Sequence, residues 1–129
     1  MTTAILTNTN VSLNSNITLR NKTDLAHNIK AGIAHNANDA IDGLLVVFSN
    51  QVANEVEIEA TILKNRRGFN KSDAKVLTKL AKDKLSGKDL TDEQVAEVQR
   101  RMPKYTWQIM NTKIRNGAIS KQNGIYMWN

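Results

Sequence analysis

Between Lys71 and Leu85 the chain alternates apolar and basic residues at helical spacing, and this is its firmest constraint on fold. Leu77, Leu80, Ala81 and Leu85 share one face of a helix turning about 100° per residue, while Lys71, Lys75, Lys79 and Lys82 line the opposite one. A segment so divided must lay its apolar stripe on a core and leave its lysines in water. Asn70 is placed to cap this helix, Asp73 stands three residues on at the capping-box position, and Gly87 ends it.

The rest of the chain supplies the partners such a helix needs. Leu25, Ile29 and Ile33 fall four apart, predicting a helix from a Thr23 cap to about His35. After the break at "NAND", Asn38 or Asp39 caps a second helix through Ile41, Leu44, Leu45, Phe48 and Val52. It is apolar on more than one face, which predicts the central core element. Val56, Ile58, Ile62 and Leu63 continue or restart it before the Lys64–Arg67 cluster. Further on, Thr91 and Gln94 form a capping-box pattern leading into Val95, Val98 and Met102. Pro103 either kinks that helix or opens the next, which runs through Tyr105, Ile109 and Ile114.

Both ends of the chain read as β-structure. Asn123-Gly124 lies between two alternating runs in "AISKQNGIYMW", a strong hairpin signal because both residues tolerate positive φ. Near the start, Val11, Leu13, Ile17 and Leu19 share one parity within an Asn/Thr-rich segment. The expected fold class is therefore α+β. It is mainly a helical bundle of four to five helices, with a small antiparallel sheet joining residues 10–19 to the C-terminal β-hairpin. One domain over 1–129 is expected: a strand segment at 1–20, an acidic helical half at 23–63, a basic helical module at 68–115 and the hairpin at 118–128.

Charge divides the chain unevenly. Residues 1–63 carry three Lys/Arg against six Asp/Glu, and residues 64–129 carry fifteen against six, so the net +6 belongs to the second half. Such a segment attracts polyanions: nucleic acid, a membrane surface or an acidic protein. The chain has no cysteine, which excludes disulfides, thiolate zinc sites and a thiol nucleophile. "MTTAILTNTNVSL" lacks the basic start and long apolar run of a signal peptide, and "GLLVVF" is far shorter than the about 20 residues of a membrane span. A cytoplasmic protein without membrane partners is expected.

Groups for chemistry are scarce. His27 and His35 are the two histidines, about 80° apart around one predicted helix and without metal-ligand spacing. Asp39 with Asp42, and Glu55 with Glu57 and Glu59, are accounted for by a helix start and a solvated face. Neither a Walker loop nor a dinucleotide fingerprint occurs. No enzyme, no metal and no cofactor are expected.

Two stretches fit binding. In "NRRGFNKSD", a glycine turn delivers Arg66, Arg67 and Lys71 to an anion at a helix N-terminus. The same residues also read as a turn, a cap and a hydrophobic staple of Phe69 on Ala74, with Asp73 standing where the anion would go. In "QRRMPKYTWQIMNTKIR", Arg100, Lys104, Trp107, Asn111 and Arg115 recur at helical spacing. That stripe suits phosphate contact with base stacking or a protein hot spot. It equally suits a helix whose Trp107 packs on the β-structure. The binding candidates are thus Arg66, Arg67, Lys71, Lys75, Lys79, Lys82, Arg100, Lys104, Trp107 and Arg115.

The order "LLVVFSNQ", "NRRGFNKSDAKVLTKLA", "GKDLTDEQVAEVQRRMPKYTWQI" resembles a family of small phage and prophage proteins of mostly unknown function. Arg66 replaces a usual glycine and Trp107 a frequent basic residue. The resemblance implies a phage origin and brings no catalytic residues. Two functions follow as expectations. One is a non-catalytic phage accessory protein binding single- or double-stranded nucleic acid with little sequence specificity. The other is an anti-CRISPR-like inhibitor binding an acidic or nucleic-acid-binding host complex in the host cytoplasm.

Overall fold

The computed structural model describes residues 18–61 and 68–129, with residues 54–61 described by their backbone alone. Asn21 opens the first helix, α1 (Lys22–His35), its Oδ1 accepting the Asp24 N–H at 2.8 Å. The cap is Asn21 rather than Thr23, because the asparagine stands three residues before the N–H it must satisfy. A single residue, Asn36, then turns the corner. Its N–H closes α1 on the Gly32 carbonyl and its Oδ1 accepts the Asp39 N–H, so α2 (Ala37–Thr61) is capped by Asn36 and not by Asn38 or Asp39. α2 continues without a restart to Thr61.

α3 (Lys71–Leu85) starts from Asn70, and Gly87 follows it at φ +97°. Leu77, Leu80 and Ala81 are buried as their spacing predicts, but Leu85 protrudes, since the last turn overhangs the core. α4 (Asp92–Arg101) opens with both halves of the Thr91–Gln94 capping box formed. Pro103 sits in a 3-10 turn, Met102–Tyr105, which leads into α5 (Thr106–Arg115). A tight turn suits the proline, whose missing N–H would break an α-helical ladder.

α2 packs against α1, α3, α4, α5 and the 3-10 turn, the central position its several apolar faces require. Leu25, Ile33, Leu44, Val47, Leu77, Val98, Met102, Ile109 and Met110 fill the space between them. Each such side chain contributes about 1.5–3 kcal/mol by leaving water.

The chain closes with β1 (Ile119–Gln122) and β2 (Ile125–Trp128), paired antiparallel with Gln122 opposite Ile125. Asn123 and Gly124 hold φ +54° and +79°, the mirror-image turn that the right-handed twist of a hairpin demands. Ile119 enters the core and Tyr126 packs against it.

The sheet among the described residues has these two strands alone, and the expected N-terminal strand is not among them. Residues 10–17 of that expectation lie outside the described residues, and 18–20 form no strand. Leu19 is buried, and its carbonyl accepts one hydrogen bond from the Tyr126 N–H at 2.8 Å. A helix beginning at Lys22 leaves no length there for a ladder.

Candidate functional site

The start of α3 is held by side chains from two other helices. Gly68 is buried at φ +104°, and a Cβ there would stand 2.7 Å from Gln51 Cβ and 2.9 Å from its Cα, so only glycine lets the loop lie on α2. Gln108 of α5 grips that glycine on both sides: its Oε1 accepts the Gly68 N–H at 2.8 Å, and its Nε2 donates to the Gly68 carbonyl at 3.3 Å. The Phe69 N–H donates to Gln51 Oε1 at 3.3 Å and the Asn70 N–H to the Tyr105 hydroxyl at 2.9 Å. Asn50 steadies Gln108 from α2, donating to its Oε1 at 3.1 Å and to Thr112 Oγ1 at 2.8 Å. Gln51 Nε2 reaches Thr78 Oγ1 of α3 at 3.0 Å.

This arrangement bears out the turn and the cap in "NRRGFNKSD". Three successive N–H groups, at 68, 69 and 70, are each taken by a different side chain, and the Asp73 N–H donates to Asn70 Oδ1 at 2.9 Å. An anion would have to displace them. The loop is a clasp that aims α3. Arg66 and Arg67, the candidates flanking it, lie outside the described residues.

Asp73 forms only half of a capping box. Tyr105 takes the Asn70 N–H that its carboxylate would have accepted, and the carboxylate, 2% exposed, turns inward. There it accepts from the Tyr105 hydroxyl at 2.5 Å, Lys104 Nζ at 2.8 Å and Arg101 Nη1 at 2.9 Å. Burial pushes its pKa up, but hydrogen bonds from Lys104, Tyr105 and Arg101 outweigh it and hold the group below the usual carboxylate range. Burial and the Asp73 contact together push Tyr105 up to about 12. Phe69 packs edge-on against Tyr105 with ring centroids 5.8 Å apart.

The second candidate stripe is thereby altered. Lys104 is bound to Asp73, and Arg100 and Arg101 both pair with Glu97, which they draw down to about 2. Trp107 is 49% exposed, and Arg115 is exposed with a long contact of 3.5 Å to Thr112. Trp128, itself on β2, has its ring 5.4 Å from Lys113 Nζ of α5.

On α3 the charge stays outward. Lys71, Lys75, Lys79 and Lys82 are all exposed, and the one ion pair that the described residues make with them is Lys79–Asp83 at 2.9 Å. That pair is a surface contact of small energetic weight. Lys84 adds a half-buried fifth cation, reaching Asp89 at 3.6 Å.

Spacing alone missed the roles of Gln51, Tyr105, Gln108 and Asn50. Asn50 carried a signal: it follows Leu44 and Val47 at three-residue steps, a polar residue on a buried stripe. Among the described residues no cluster of three or more His, Asp or Glu is placed to hold a metal ion, and no helix is long and apolar enough to cross a membrane. Both histidines are exposed. No protein-family model, curated protein or solved structure matches the chain.

Proposed function

We propose that this chain is a non-catalytic nucleic-acid-binding protein, an accessory protein of the phage kind that its motif order resembles. It acts through the lysine face of α3 with little sequence specificity. One observation carries the reading. α3 holds five lysines against two aspartates, and one of these, Asp73, is buried inward and matched by Arg101 and Lys104. Of the acids within α3, Asp83 alone is left facing outward with the lysines.

Lys71, Lys75, Lys79 and Lys82 fall within about 80° of arc along roughly 16 Å of helix. A row of that shape faces an array of regularly spaced negative charges, and the phosphates of a nucleic acid are such an array. The clasp at 68–70 supports this role by setting the direction in which the row points.

Titration of labelled DNA and RNA at low and moderate salt tests the proposal. Binding that weakens as salt rises, and is lost in K71A/K75A/K82A, supports it. Absence of binding to any nucleic acid at low salt overturns it and turns attention to a host protein as partner.

A further inference from the structure

The lysine row of α3 and the exposed Trp107 lie on different elements of this molecule, and this bears on which nucleic acid the row takes. α3 carries its lysines with no aromatic residue in its sequence KSDAKVLTKLAKDKL. Trp107 is half-exposed on α5, and the two cations before it, Lys104 and Arg100, are each ion-paired, with Asp73 and Glu97. Proteins that hold single strands combine a cationic groove with aromatic faces on which unpaired bases stack. Here the helix that carries the row of four exposed lysines carries no ring.

A duplex requires no stacking partner, because its bases are already stacked and its phosphates face outward. Lysines suit it as point charges on flexible stems, without the rigid fork with which arginine reads paired acceptors. Groove shape divides DNA from RNA. The B-form major groove, about 12 Å wide, admits an α-helix of about 10–12 Å diameter, whereas the A-form groove is too narrow. A helix lying there brings a one-sided lysine row to the phosphates of a flanking strand, spaced about 3.4 Å apart along the axis.

We infer that the ligand of α3 is duplex DNA, bound through its phosphate backbone by Lys71, Lys75, Lys79 and Lys82. This rests on the nucleic-acid reading above and names its substrate. Trp107 takes no part.

Fluorescence anisotropy on a labelled DNA duplex of about 20 base pairs, its single strand and the matching RNA duplex, between roughly 50 and 200 mM salt, tests it. The DNA duplex is expected to bind at least about tenfold more tightly than either competitor. Its log K against log salt slope is expected near −3 to −4, shrinking by about 1 for each lysine changed to alanine. Trp107→Ala leaves duplex affinity unchanged, and circular dichroism shows that each variant is folded. Single-strand binding as tight as duplex binding, or a preference for the RNA duplex, overturns the inference while the nucleic-acid reading stands. No binding to any of the three overturns both.

Discussion

Tyr105 and Asp73, thirty-two residues apart, are joined by a hydrogen bond of 2.5 Å, and the same hydroxyl accepts the Asn70 N–H at 2.9 Å. One phenol thus completes the cap of α3 and ties its first turn to the 3-10 turn before α5. Tyr105→Phe leaves the ring in place but strips the partner from a loop N–H and from a buried carboxylate. A loss of about 1–3 kcal/mol is expected in urea or thermal unfolding. An unchanged midpoint would show that the hydroxyl adds nothing.

Acid should weaken the fold through the same cluster. Asp73 and Glu97 are both depressed in the folded protein, Glu97 to about 2 from an ordinary 4.5. The unfolded state therefore takes up protons first as pH falls. The stability these groups supply is fully present above their ordinary carboxylate range and drains away from about pH 4.5 down toward 2. Asp73→Asn is expected to be less stable at neutral pH, because Arg101 and Lys104 lose their buried anion, and to show a shallower acid limb. Unfolding midpoints measured from pH 7 to pH 2 check both.

Gly68→Ala should be among the costliest single-methyl additions in the chain. Its φ of +104° disfavours any side chain, and the new carbon would press on Gln51 at 2.7 Å. About 3 kcal/mol of destabilisation is expected from strain and overpacking together. Calorimetry that finds the variant as stable as wild type would mean that the loop does not lie on α2.

Lys113 holds the hairpin to the bundle. Its Nζ is 2.6 Å from Asp42 Oδ2 on α2 and 5.4 Å from the Trp128 ring centroid on β2, and it is largely buried. Lys113→Ala is expected to cost about 1–2 kcal/mol, from one partly exposed ion pair and one cation–π contact. Tryptophan emission should shift as Trp128 loses its neighbour.

The lysine row should be silent in stability. Changing Lys71, Lys75 and Lys82 to alanine removes exposed charge and touches no core contact, so each substitution should stay within about 0.5 kcal/mol. A collapse of the fold in this variant would assign these lysines a structural role that their exposure does not suggest.

What the sequence by itself determined here is whatever one segment can encode. The stripe of α3, the Thr91–Gln94 box and the Asn123-Gly124 turn depend on residues within one or two turns of each other, where backbone geometry alone fixes who meets whom. Caps at Thr23 and at Asn38 or Asp39 were misplaced by two or three residues for a related reason: Asn21 competes with Thr23 at one start and Asn36 with Asn38 and Asp39 at the other, and local propensity ranks them almost equally. Only the tertiary structure could decide that Asp73 would face Arg101, Lys104 and Tyr105 instead of its own cap, or that Gln108 would clasp Gly68. Those partners lie from twenty-eight to forty residues away, and they meet because α2 brings its neighbours together around one core. The same packing sorts the positive charge. Arg101, Lys104 and Arg100 are drawn into ion pairs with Asp73 and Glu97, and the lysines of α3, turned away from any core acid, are left to face outward.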